Sequence, residues 1–301
     1  MAAGRRGRIR TLAVWTAAAA LVSGAALSGC EAAPGGGPGV ASRPSASPSP
    51  TPRPTPAWDP SPASVAAVGD SITRGFDACG VLADCPEVSW ATGSDARVNS
   101  LARRLLGASA LPARTWNLAR SGARMAELPG QMAAAGAKKP GLVTVLVGAN
   151  DACRGSADLM TPVSAFRASF EEAMRELRSV SPKSQVYVSS VPDLKRLWST
   201  GQGSALGKQV WKLGVCASML GDADDVGAAA EERREQVYER VVAYNGVLRD
   251  VCAKDRLCRY DGGAVFDYRF TGEQLSPWDW FHPSTNGQGR LAEIAYRIIT
   301  S

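Results

Sequence analysis

Five short apolar runs alternate with amphipathic helical stripes between residue 64 and the C-terminus, and this order constrains the fold of the 301-residue chain more than any other feature. Ser64-Val65-Ala66-Ala67-Val68, Leu142-Val143-Thr144-Val145-Leu146-Val147 and Gln185-Val186-Tyr187-Val188-Ser189-Ser190-Val191 read as buried strands, with weaker ones at Thr115-Trp116-Asn117-Leu118 and near Ala264-Val265-Phe266. Unbroken apolar character, rather than alternation, marks strands covered on both faces. Between them Phe166, Phe170, Met174 and Leu177 recur at spacings of three and four, as do Val237, Val241, Tyr244, Leu248 and Val251, and near the end Leu291, Ile294 and Ile298. Strand and helix in turn imply an α/β fold, a three-layer α/β/α sandwich around a central parallel sheet of about five strands. No internal repeat competes with that reading.

In such sheets, sites gather at the carboxyl ends of the strands, and Ser71, Gly122 and Asn150 each follow a strand candidate. The first run ends in Gly69-Asp70-Ser71-Ile72-Thr73, a glycine-flanked turn that would hold the Ser71 hydroxyl at the sheet edge. Taken alone, a Gly-Asp-Ser string also reads as a helix-capping turn. A serine nucleophile needs a base, and the chain has one histidine, His282, in Asp279-Trp280-Phe281-His282-Pro283. Asp279, three residues earlier, can reach the other ring nitrogen and hold its tautomer.

Gly69-Asp70-Ser71-Ile72-Thr73, Asn117-Leu118-Ala119-Arg120-Ser121-Gly122, Gly148-Ala149-Asn150-Asp151 and Asp279-Trp280-Phe281-His282 resemble, in order, the four sequence blocks of the SGNH (GDSL-type) esterase and lipase family. The resemblance spans about residues 63 to 301. It departs from the family pattern at Ile72, where the first block usually has leucine. No Gly-x-Ser-x-Gly nucleophile elbow of the other common serine-hydrolase scaffold occurs. The resemblance implies a flavodoxin-like sheet order, Ser71 as nucleophile, His282 as base, Asp279 as its partner, and no cofactor. It also implies an oxyanion hole of the Ser71 and Gly122 backbone N–H groups and the Asn150 amide. Glycine at 122 would let a backbone donor meet the substrate with no Cβ in the way. Asp70, Asp151 and Asn117 read as loop braces, Arg154 as a solvated residue, and Trp278, Trp280 and Phe281 as a wall around the acid and base. The segment from Leu197 to Asp225, rich in glycine and tryptophan, reads as a substrate-shaping insertion.

The N-terminus reads as processing signal. Arg5, Arg6, Arg8 and Arg10 precede an apolar stretch from Thr11 to Leu27, and Leu27-Ser28-Gly29-Cys30 resembles a bacterial lipoprotein cleavage box of the actinobacterial type. Residues 1–29 are thus expected to be a lipoprotein signal peptide, with Cys30 lipidated after cleavage. Residues 30–62 are Gly, Pro, Ala, Ser and Thr-rich, a disordered lipid-anchored linker below a hydrolase domain at residues 63–301. That layout places the protein, expected as a monomer, at the extracytoplasmic face of the cell membrane or in the cell wall. The formal charge of +6 falls to +2 once the four signal arginines are removed. No basic stripe survives, so no nucleic-acid partner is expected.

Apart from Cys30, six of the seven cysteines remain, an even number suited to an exported protein. Short spacings favour Cys79 with Cys85 and Cys252 with Cys258, which leaves Cys153 for Cys216. No Cys-x-x-Cys pair exists and the histidine is needed elsewhere, so no metal is expected. The expected activity is hydrolysis of a carboxylic ester, of a lipid or of an O-acyl or O-acetyl carbohydrate, through an acyl-enzyme on Ser71. The alternatives are an acyltransferase using the same triad and a non-catalytic cell-envelope binding domain.

Overall fold

The computed structural model describes residues 58–301; the expected signal peptide, the expected lipidation site Cys30 and the expected linker up to residue 57 lie outside the described residues. Strands β1 (Val65–Gly69), β2 (Thr115–Asn117), β3 (Leu142–Leu146), β4 (Gln185–Val188) and β5 (Cys258–Tyr260) form one sheet of order β2-β1-β3-β4-β5. Every neighbouring pair is parallel. This is the doubly wound α/β order, whose reversal lies at β1. The three central strands are buried at every residue, whereas the edge strands β2 and β5 are half-buried, as covering on both faces requires.

Helices Leu128–Ala137, Val163–Val180 and Ala228–Cys252 pack together on one face, and Leu101–Leu106 packs with Thr285–Thr300 on the other. The expected stripe Phe166, Phe170, Met174 and Leu177 is buried, and Phe166 stacks on Tyr244 with ring centroids 4.0 Å apart. In the last helix the buried face is Leu291, Ala292, Ala295 and Ile299, while Ile294 and Ile298 are half-buried flanks.

One strand is not where the sequence puts it. Ala264-Val265-Phe266 lies in a helical turn, Ala264–Asp267, and the fifth strand is Cys258–Tyr260. The Asp261 carboxylate decides this by accepting the backbone N–H groups of Gly263 at 2.8 Å and Val265 at 3.1 Å. Such a cap curls the chain before it can extend.

Residues 58–62, read from sequence as linker, are held to the domain. Trp58 Nε1 donates to the Ile299 carbonyl at 2.8 Å, and Gln185 Nε2 donates to the Asp59 carbonyl at 2.9 Å. The Arg259 guanidinium lies 4.4 Å from the Trp58 ring centroid. Disulfides join Cys79 to Cys85, Cys153 to Cys216 and Cys252 to Cys258. No helix among the described residues is long and apolar enough to cross a membrane.

Candidate active site

β1 runs directly into a single helical turn, Ser71–Arg74, capped at its start by Asp70, whose carboxylate accepts the Ile72 N–H at 3.0 Å. Gly69 makes the approach possible: its φ is +142°, and a Cβ there would lie 2.1 Å from the Leu146 carbonyl oxygen of β3. The amide of Gln131 brackets the same glycine, accepting its N–H at 2.7 Å and donating to its carbonyl at 3.0 Å. Gln288 acts likewise on the next turn, donating to the Ile72 carbonyl at 2.8 Å while accepting the Trp90 N–H at 2.9 Å. Serine 71 is thereby fixed on braced backbone, which is how a reactive side chain keeps its geometry.

Ser71 Oγ lies 2.9 Å from His282 Nε2, and His282 Nδ1 lies 2.5 Å from Asp279 Oδ2. Asp279 Oδ1 accepts the N–H groups of Phe281 at 2.9 Å and His282 at 3.0 Å, so one carboxylate sets both the turn and the ring. Burial works most strongly against the charge on Asp279, but the bond to His282, its charge and the backbone N–H groups of Phe281 and His282 together outweigh it and hold the carboxyl below its ordinary range. Burial likewise disfavours the imidazolium, yet the hydrogen bond and charge of Asp279 lead in lifting His282 above its ordinary value. Asp70, fully buried, is pushed up to about 7 by that burial.

The second and third segments converge on the nucleophile's turn. Asn117 Nδ2 donates to the Thr73 carbonyl at 2.9 Å, and the Arg120 N–H donates to the Gly69 carbonyl at 3.1 Å. Asn150 Nδ2 donates to the Ala123 carbonyl at 3.0 Å, which ties the third segment to the residue after Gly122. That bond uses one amide hydrogen and leaves the second for a ligand. Asp151 Oδ2 accepts the Met125 N–H at 2.8 Å, a loop brace as expected. At Gly122 the reason for glycine is conformational: φ is +81°, and a Cβ would meet nothing within 4 Å. The loop faces open space there.

The insertion closes over the acid. It folds as three short helices, Leu194–Gly201, Ala205–Trp211 and Ala217–Leu220. Trp280, at φ +51°, lays its ring against Gly207 and Gly272, while Trp211 Nε1 donates to the Asp279 carbonyl at 2.7 Å. The far end of the insertion is tied to the Asn150 loop by the Cys153–Cys216 bond and by Ser218, whose hydroxyl donates to the Ala152 carbonyl at 2.7 Å. Arg154 departs from the solvated role: it is half-buried, and its Nε is buried without a partner. Trp278 is 42 % exposed at the rim, whereas Phe281 is buried.

Beside the imidazole lies a small apolar cavity of about 10 Å³, lined by Ile72, Ala149, Leu197, Phe270, Phe281 and His282 among others. The lining includes the neighbours of both Ser71 and Asn150. Sequence reasoning missed Gln131, Gln288 and Asp77, which act across the fold rather than within a motif. The side chains of Asp77, Asp279 and His282 place ligand-type atoms within 4.8 Å of one another.

A model of the GDSL-like lipase/acylhydrolase family matches residues 67–290. No curated protein matches the chain. Among solved structures, a catalytic mutant of an acetylxylan esterase from Geobacillus stearothermophilus is 17% identical with TM-score 0.47, over 79% of this chain and 94% of its own. The extracellular lipase of Streptomyces rimosus is 18% identical with TM-score 0.43, over 78% of this chain and 99% of its own. Phospholipase A1 from Streptomyces albidoflavus NA297 is 19% identical with TM-score 0.45, over 80% of this chain and 100% of its own. The substrates in these names belong to those proteins. The family match begins within β1, ends in the last helix and contains all four segments, and the chain belongs to the GDSL-like lipase/acylhydrolase family, the SGNH type of carboxylic ester hydrolase.

Proposed function

We propose that the protein cleaves esters of short acyl groups through an acyl-enzyme on Ser71. The observation that carries this reading is the chain Ser71 Oγ to His282 Nε2 at 2.9 Å and His282 Nδ1 to Asp279 Oδ2 at 2.5 Å. Ser71 Oγ attacks the ester carbonyl carbon while its proton passes to His282 Nε2. The carbonyl oxygen becomes an oxyanion, met by the Ser71 and Gly122 N–H groups and the free hydrogen of the Asn150 amide. Collapse expels the alcohol, which takes the proton from His282. Water then attacks the acyl-enzyme with the same base, and the acid leaves.

The cavity beside His282 supports a short acyl group. About 10 Å³ of room matches one water-sized group, and its apolar lining suits a methyl rather than water. The methyl of an acetyl group fits that space, whereas a long chain would have to lie outside it. The three disulfides support an oxidising compartment, and the sequence of the first thirty residues supports export and anchoring through lipidated Cys30.

Nitrophenyl esters from acetyl to palmitoyl test the reading. The expected order of kcat/KM is highest for acetyl with a steep fall by octanoyl, and Leu197→Ala should flatten the series. A maximum at octanoyl or longer would overturn the short-acyl assignment. Labelling of Ser71 by a serine-directed phosphonate tests the nucleophile apart from acyl size.

A further inference from the structure

A second buried carboxylate stands beside the triad acid, and the reaction as described does not call on it. Asp77 is 2 % exposed and holds a left-handed φ of +56°. Its carboxyl, that of Asp279 and a ring nitrogen of His282 lie within 4.8 Å of one another. The titratable groups facing this cluster are these three and Asp70, which acts on the imidazole from the nucleophile's turn. No lysine or arginine ion-pairs with Asp77 among the described residues.

Two carboxylates so close and so buried do not both stay ionised without a counter-charge, and one keeps a proton. The hydrogen-bond donors decide which. Asp279 accepts from Phe281 N, His282 N and His282 Nδ1, three bonds that favour its anion. The Asp77 side chain accepts only the Leu82 N–H, at 2.5 Å, among the described residues. Burial, and then the charge of Asp279, push Asp77 above the ordinary carboxylate range.

We propose that Asp77 serves as a neutral carboxylic acid that donates its proton to Asp279, positioning the triad acid while keeping a second negative charge away from His282. Leu82 belongs to the loop closed by Cys79–Cys85, so that disulfide holds the donor that orients Asp77. The backbone completes the bracket. The Asp77 N–H donates to the Ala83 carbonyl at 3.0 Å, Ser276 Oγ donates to the Asp77 carbonyl at 2.7 Å, and the Ser276 N–H donates to the His282 carbonyl at 2.7 Å. Asp77 is a positioning residue, and the inference rests on Asp279 and His282 acting as proposed above.

His282 is the only histidine, so nitrogen NMR of the resting protein reads its titration without ambiguity. Asp77→Asn keeps the shape, accepts from Leu82 and donates an amide hydrogen to Asp279. If Asp77 is neutral, this change leaves the His282 midpoint and the acid limb of kcat/KM in place. If Asp77 is ionised, the change removes a negative charge and lowers both by more than about one unit, which would overturn the proposal. Asp77→Ala, which removes the donor, should lower kcat by about tenfold to a hundredfold at unchanged KM, with Asp77→Asn retaining more of it. Equal loss in both variants would also count against the proposal. Should Asp77→Asn not fold, Asp77→Ser, smaller and also uncharged, is read by the same midpoint. The titration needs no substrate, so it stands apart from the identity of the ester.

Discussion

Trp211 Nε1 donates to the backbone carbonyl of Asp279 at 2.7 Å, so the insertion between β4 and β5 holds the triad acid from behind. Trp211→Phe keeps most of the ring and deletes the donor, leaving a buried carbonyl unpaired. The expected cost is about 1 to 3 kcal/mol in stability, with a fall in kcat and little change in KM. Thermal unfolding and steady-state kinetics check this, and the expected loss of stability with unaltered kcat would separate the insertion from the triad.

Asn150→Ala removes one oxyanion donor and also the bond to the Ala123 carbonyl. The expected loss in kcat is on the order of 10² to 10³, as for one donor among several. Damage equal to that of losing Ser71, at unchanged stability, would give Asn150 another role.

The pH dependence follows from His282, which lies above its ordinary 6.5 because its carboxylate neighbours outweigh burial. Only the neutral ring accepts the serine proton, so kcat/KM should fall as pH drops through a midpoint above 6.5. Stability moves the other way. A folded value above the unfolded one contributes stability below the unfolded value, and that contribution is lost as pH rises through the folded one. A kinetic midpoint below 6.5 would contradict the arrangement.

The Cys153–Cys216 bond closes a loop with sequence separation 63 and joins the Asn150 loop to the insertion. Chain entropy alone gives it about 4 kcal/mol, and native strain can reduce that figure. The double serine variant should lose both stability and turnover. The corresponding change at Cys252 and Cys258, a separation of 6 residues, should lower stability alone.

Much of this was legible in the chain because its signals are local. Buried strands write unbroken apolar runs, and a lone histidine three residues after an aspartate leaves no choice of base. β5 was not legible: Cys258-Arg259-Tyr260 is short, half-buried and at the sheet edge, so it needs no apolar run. The apolar Ala264-Val265-Phe266 looked like the better strand because the capping carboxylate of Asp261 leaves no mark in a hydrophobicity pattern. Gln131 and Gln288 brace backbone at sequence separations of 62 and 216, and nothing near them announces it. Asp77 gains its meaning only when the fold brings Asp279 beside it.

Ser71→Ala is the most direct test of the account. The hydroxyl is 7 % exposed and small, so the fold should survive its removal. Turnover of a nitrophenyl acetate should drop by a factor on the order of 10⁴ to 10⁶ while melting is unchanged. A folded Ser71→Ala protein that retains more than about a tenth of the wild-type rate would contradict the assignment of Ser71 as the nucleophile.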